Sequence, residues 1–84
     1  MSFGITIEQG TYANEIINYC QRVEFYEFFS QFGEIETKKR YFYTKETIKK
    51  LIDFLKMKKD DTLYFFIECL EEGLQDDFYM IYFG

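Results

Sequence analysis

The chain has 84 residues, 48% hydrophobic and 23% aromatic, which is enough for one packed core and too little for two. Its net charge of −5 and its pI near 4.6 work against polyanion binding by the molecule as a whole. The lack of histidine, and of any base beside Ser2 or Ser30, removes the usual means of nucleophilic and general acid–base catalysis.

From the N-terminus, Phe3, Ile5 and Ile7 alternate with Gly4, Thr6 and Glu8, which predicts a half-buried strand ended by Gly10. Thr11 is placed to cap a helix in which Tyr12, Ile16, Tyr19, Cys20 and Val23 recur every three or four residues. That helix runs to about Phe32 with Gly33 behind it. The aromatic stretch from Phe25 to Phe32 also allows a break near Val23 and a restart. From Glu34 to Tyr43 the chain alternates again, Ile35, Thr37, Lys39, Tyr41 and Tyr43 on one side, as in a strand with one solvated face. Thr44 then caps the clearest helix, where Ile48, Leu51, Ile52 and Leu55 lie at i, i+3, i+4 and i+7. Glu46 with Lys50, and Lys58 with Lys59 at the far end, suit its side-chain pairing and its dipole.

Residues 62–70 read two ways. Leu63, Phe66, Ile67 and Leu70 fit a helix capped by Asp61 and ended by Gly73, while the run Tyr64-Phe65-Phe66-Ile67 favours a strand. The strand reading is preferred because Glu71 and Glu72 would oppose a helix dipole. Phe78–Phe83 then forms its hairpin partner across a turn in residues 71–77. The result is a single α+β domain over residues 1–84, in the order β-α-β-α-β-β. A small antiparallel sheet of three to four strands packs against two helices.

The apolar run Leu63–Ile67 is five residues long, and a membrane-spanning helix needs about twenty. The N-terminus has neither the positive charge nor the apolar stretch of a secretion signal, so a cytoplasmic location is expected. Cys20 and Cys69 are then expected to be reduced, and two cysteines without histidine do not make a zinc site. The five glycines match no phosphate-binding loop or dinucleotide fingerprint, and Asp60–Glu72 lacks the spacing of a calcium loop. No metal, no cofactor and no catalytic residue is expected.

Charge is segregated along the chain. Residues 1–37 carry six acids against Arg22, residues 38–59 nine bases against Glu46 and Asp53, and residues 60–84 seven acids and no base. Lys45, Lys49 and Lys56 fall within about 40° of one another on a helical wheel, making a basic stripe. Lys38-Lys39-Arg40 beside Tyr41-Phe42-Tyr43 joins bases to aromatics, as in single-strand binders. Asp60, Asp61, Glu68, Glu71, Glu72, Asp76 and Asp77, with Tyr79, form an acidic aromatic edge able to imitate a phosphate backbone and occupy a basic groove.

This profile, short and acidic, rich in Lys, Ile, Phe and Tyr and without proline or histidine, resembles small phage- and mobile-element-encoded inhibitors of host defence, including anti-CRISPR proteins. The resemblance implies a stoichiometric inhibitor in the cytoplasm of a host cell. Leu51–Leu55 followed by Phe66–Glu71 is also similar to the later helices of caspase-recruitment domains, although the first half of the chain does not fit them. The expected function is non-catalytic binding of a protein with a basic, nucleic-acid-binding surface. An immunity protein that neutralises a toxin and a nucleic-acid binder using the central basic helix are the alternatives. Pairing of two copies of the chain is a further option.

Overall fold

The computed structural model describes residues 4–10, 14–75 and 77–84. Phe3, Thr11, Tyr12 and Asp76, which enter the expectations above, lie outside them. The strands are β1 (Ile5–Gln9), β2 (Asn14–Cys20), β3 (Lys39–Thr44) and β4 (Phe78–Phe83), and the helices are α1 (Val23–Phe29), α2 (Lys45–Met57) and α3 (Tyr64–Glu72). Short 3₁₀ turns occupy Ser30–Phe32 and Asp61–Leu63. The chain is α+β, but its order is β-β-α-β-α-α-β rather than β-α-β-α-β-β. The two segments similar to caspase-recruitment domains do become helices, yet they pack on a sheet.

All four strands form one antiparallel sheet in the order β2-β1-β4-β3. The last strand is therefore central, hydrogen-bonded to β1 on one side and β3 on the other. This replaces the expected hairpin between residues 62–70 and Phe78–Phe83. Ile5, Ile7, Ile17, Tyr79, Ile81 and Phe83 point to one face and are buried there under the helices, together with Phe25, Phe29, Leu51, Leu55, Leu63 and Leu70. Aromatic ring contacts hold α1 against the sheet and its neighbours. The Phe29 ring lies 4.8 Å from Tyr43 and 5.9 Å from Phe83, and Phe25 meets Phe66 at 5.7 Å.

Three segments depart from the sequence reading. Residues 34–38, read as the start of a strand, are coil and a turn with Lys38 at a left-handed φ of 63°, so β3 begins only at Lys39. Residues 14–20 form a strand, not the first half of a helix, and the helix starts only at Val23, the alternative break point. The cause is a pair of register shifts. Ile5 pairs with Cys20 and Ile7 with Ile17, so two steps along β1 match three along β2, and the next pair, Glu8 with Glu15, skips Ile16. An extra residue in a bulged strand turns period two into period three, and three-residue spacing imitates a helix.

Residues 62–70 are helical, not extended. Leu63, Ile67 and Leu70, at i, i+4 and i+7, are all buried. Burying three such side chains contributes about 1.5–3 kcal/mol each, against about 0.3–1 kcal/mol for an acid at the wrong end of a helix dipole. The dipole objection is outweighed. The start is capped by Asp60 rather than Asp61, its Oδ1 accepting from the Thr62 backbone N–H at 2.9 Å and from the Thr62 hydroxyl at 2.6 Å. Thr44 does precede α2, but its hydroxyl lies 3.4 Å from that of Thr47 and makes no cap bond to the backbone.

Both cysteines are free, Cys20 buried and Cys69 half-buried on α3. Burial pushes both thiols above their ordinary value, with Glu72 and Glu68 adding to the rise at Cys69.

Candidate binding surface

Helix α3 presents its acids on two rows beside the buried stripe. Tyr64, Glu68 and Glu71 follow one another at i, i+4 and i+7 toward α2, and Phe65, Cys69 and Glu72 do so toward β2. The helix is amphipathic because Leu63, Ile67 and Leu70 anchor it, and its remaining sides must face water. Tyr64 is nevertheless 60% exposed and Phe65 67%. Two large aromatic side chains therefore stand in solvent among carboxylates.

Between α2 and α3 runs an open groove of about 640 Å³. Buried Leu55 and Ile67 form its floor. Lys56 and Lys59 line the α2 bank, and Asp61, Tyr64 and Glu68 the α3 bank. Glu71 closes one end, its carboxylate 3.6 Å from the Lys56 ammonium. At the other end Arg22 ties the chain together, its Nη2 3.0 Å from Asp60 Oδ2 and its Nε 3.1 Å from Glu24 Oε1. Hydrogen bonds from Thr62, followed by the Arg22 guanidinium, hold the Asp60 carboxyl below the usual carboxylate range.

The acids expected at a hairpin turn are thus distributed by the fold. Asp60 and Glu71 are neutralised at the two ends of the groove. Asp61, in the turn before α3, and Glu68 and Glu72, on adjacent exposed rows of α3, make no ion pair among the described residues. Asp77 is exposed in the connection to β4, where its backbone carbonyl accepts from the Lys45 N–H at 3.0 Å. Tyr79 does not belong to the surface. It is fully buried in β4, and its hydroxyl donates to the Gly73 carbonyl at 2.9 Å, because the pleat turns odd-numbered residues of β4 toward the core.

The surface residues that the strand reading missed are Tyr64 and Phe65. A helical projection of residues 63–70 places Phe65 opposite the Leu63, Ile67, Leu70 stripe and Tyr64 on its flank, so the signal was present in the competing reading. The basic stripe is less free than its sequence suggests. Lys49 and Lys56 line a shallow depression with Asp53, Glu71 and Leu74, and Lys56 is engaged by Glu71.

Among the described residues no group of His, Cys, Asp and Glu is gathered to hold a metal ion, and no helix is long and apolar enough to cross a membrane. No family model matches the chain, and neither a curated protein nor a solved structure shows significant similarity to it.

Proposed function

We propose that this is a non-catalytic binding domain, acting in the cytoplasm, whose α3 face takes a basic surface of a partner protein and so inhibits it. The observation that carries the reading is the placement of exposed Tyr64 and Phe65 beside Asp61, Glu68 and Glu72. Aromatic anchors ringed by charge are the usual composition of an interface: the rings supply contact area and the acids steer the encounter. An arginine or lysine of the partner entering the groove can stack on Tyr64 while its charge meets Asp61 and Glu68. That the partner handles nucleic acid, as the likeness to inhibitors of host defence implies, is the finer part of the proposal. An immunity protein that masks a toxin would use the same face.

Affinity capture from an extract of the expressing cell tests it with three proteins: the unmodified chain, the set Asp61→Asn, Glu68→Gln, Glu72→Gln, and the set Lys45→Gln, Lys49→Gln. The expected result is a basic protein retained by the first and third and lost by the second, with retention falling as salt rises. Bound partner should also shield the Cys69 thiol, on the same face, from alkylation. A partner lost with the lysine set and kept by the acidic set would assign binding to α2 instead.

A further inference from the structure

The sheet has two edges, and only one of them is regular. At β2 the pairing with β1 is interrupted by register shifts, and a bulged edge is a poor template for a further strand. At the other edge β3 pairs with β4 without a shift, from Lys39 with Phe83 to Thr44 with Phe78.

Hydrogen bonding shows which backbone groups this regular edge leaves over. Gly4 and Gly84 exchange both of their bonds, at 3.1 and 2.7 Å, so the even-numbered positions of β4 serve β1. The Lys45 N–H donates to the Asp77 carbonyl at 3.0 Å, so the odd-numbered positions serve β3. Lys39, Tyr41 and Tyr43 therefore turn their amides and carbonyls toward β4, while Arg40 and Phe42 turn theirs to the outside. Among the described residues no other backbone segment bonds to these two, and their side chains are exposed, Phe42 by 68%.

We infer that the β3 edge takes an acidic, extended segment of a partner protein as a further strand. The backbone calls for a polypeptide, because the edge alternates amide donors with carbonyl acceptors, and the phosphates of a nucleic acid only accept. The side chains select for acid. Between Thr37 and Lys45 the chain holds Lys38, Lys39, Arg40 and Lys45 and no carboxylate. Lys39 lies beside Glu36, while Lys38 and Arg40 make no ion pair among the described residues, the Arg40 guanidinium standing 5.3 Å from the centre of the Tyr82 ring. Neighbours on a strand point to opposite faces, so Lys39 and Arg40 flank the edge on both sides of the sheet, and two successive carboxylates of the added strand meet one each. On the helix side a depression of about 50 Å³, lined by Phe29, Phe32, Ile35, Tyr41 and Tyr43, has room for a small apolar side chain of the same strand. A second copy of the chain fits less well, since its own β3 offers these bases no acid in return. The charges that keep two copies apart thus admit a strand of opposite sign.

Helix α3 packs beside β2, at the opposite end of the sheet, so the test does not depend on the binding proposal above. The probe is the acetylated and amidated peptide Thr-Val-Thr-Val-Glu-Glu-Thr, added at about 2 mM to the full chain while exchange of backbone amides for deuterium is followed by NMR. Without peptide, Arg40 and Phe42 should exchange fast and Tyr41 and Tyr43 slowly. With it, the Arg40 and Phe42 amides should slow by about fivefold or more. The same peptide N-methylated along its middle residues keeps its charge but has no amide there to donate, and should give no slowing. Lys38→Glu with Arg40→Glu, both at exposed sites, should abolish the effect of the acidic peptide and confer it on one with lysines in place of the glutamates. Equal slowing by the methylated peptide overturns the inference, as do a charge reversal without effect and amides at positions 40 and 42 that do not respond or are already protected. Protection that grows with protein concentration in the absence of peptide assigns the edge to a second copy instead.

Discussion

Helices α2 and α3 lie side by side under the same sheet, yet they owe their conformations to different things. Helix α2 follows local rules: it has 13 residues, Glu46 in its first turn, Lys56 in its last, and four buried side chains on one stripe. Helix α3 breaks several of them. It has nine residues, no acid in its first turn, no base in its last, and Glu71 and Glu72 at the negative end of its dipole. What holds it is the burial of Leu63, Ile67 and Leu70 and, at the margin, Lys56 reaching Glu71 from α2. The two helix ends also exchange roles. Lys59, directly after α2, takes a left-handed φ of 52°, where glycine is usual, whereas Gly73 ends α3 at an ordinary φ of −83°. Gly73 is required for space: a Cβ there would lie 2.8 Å from Ile16 Cδ1 and 3.1 Å from the Cys69 carbonyl oxygen.

The largest test of this contrast is the loss of an anchor on each helix. Leu55→Ala and Leu70→Ala should each cost about 2–5 kcal/mol in chemical denaturation, since both sites are fully enclosed. If α3 depends on the core, the isolated peptide 60–75 should show less helix by circular dichroism than the peptide 44–59. Equal helicity in the two would mean that α3 is locally encoded after all.

Gly73→Ala should destabilise by about 1–3 kcal/mol, as an overpacked site does, by driving the Ile16 side chain out of its position against α3. Pairing it with Ile16→Val should recover part of that loss, and a cost that is unchanged in the double variant would rule out the steric explanation. At the other helix end a gain is expected. Lys59→Gly should add about 0.5–1 kcal/mol by relieving a left-handed lysine, read as a rise in the denaturation midpoint without a change of slope.

The smallest effect is confined to acid. Because Thr62 and Arg22 lower the folded-state pKa of Asp60, this carboxylate stabilises the fold above its unfolded value near 3.8, and that contribution is lost as pH falls through the lower folded value. Asp60→Asn keeps a capping side chain but does not titrate, so it should match the parent closely at neutral pH and flatten the stability profile below about pH 4. An unaltered acid limb would show that Asp60 is not one of the groups that govern it.

The acidic surface was partly legible and partly not. Which residues are acidic is plain in the sequence, and Asp61 in the turn before α3 and Glu68 and Glu72 on α3 are indeed exposed. That Asp60 and Glu71 are neutralised could not be read, because their partners Arg22 and Lys56 lie 38 and 15 positions away along the chain and meet them only in space. Tyr79 was misplaced for a similar reason. Asp76 and Asp77 stand just ahead of it in sequence, but the strand that carries it is inserted between β1 and β3 and turns it into the core.

By itself the sequence determined the α+β class, strands at Ile5–Gln9 and Phe78–Phe83, the second half of the strand read over residues 34–43, and the whole of α2, because in these stretches the hydrophobic period agrees with local propensity. Only the tertiary structure decided residues 14–20 and 62–72, and for opposite reasons. In the first stretch a bulge gave a strand the spacing of a helix. In the second, aromatic residues of high strand propensity became helical because the space under the sheet accepts Leu63, Ile67 and Leu70 on one stripe, and burying them outweighs what the local sequence prefers.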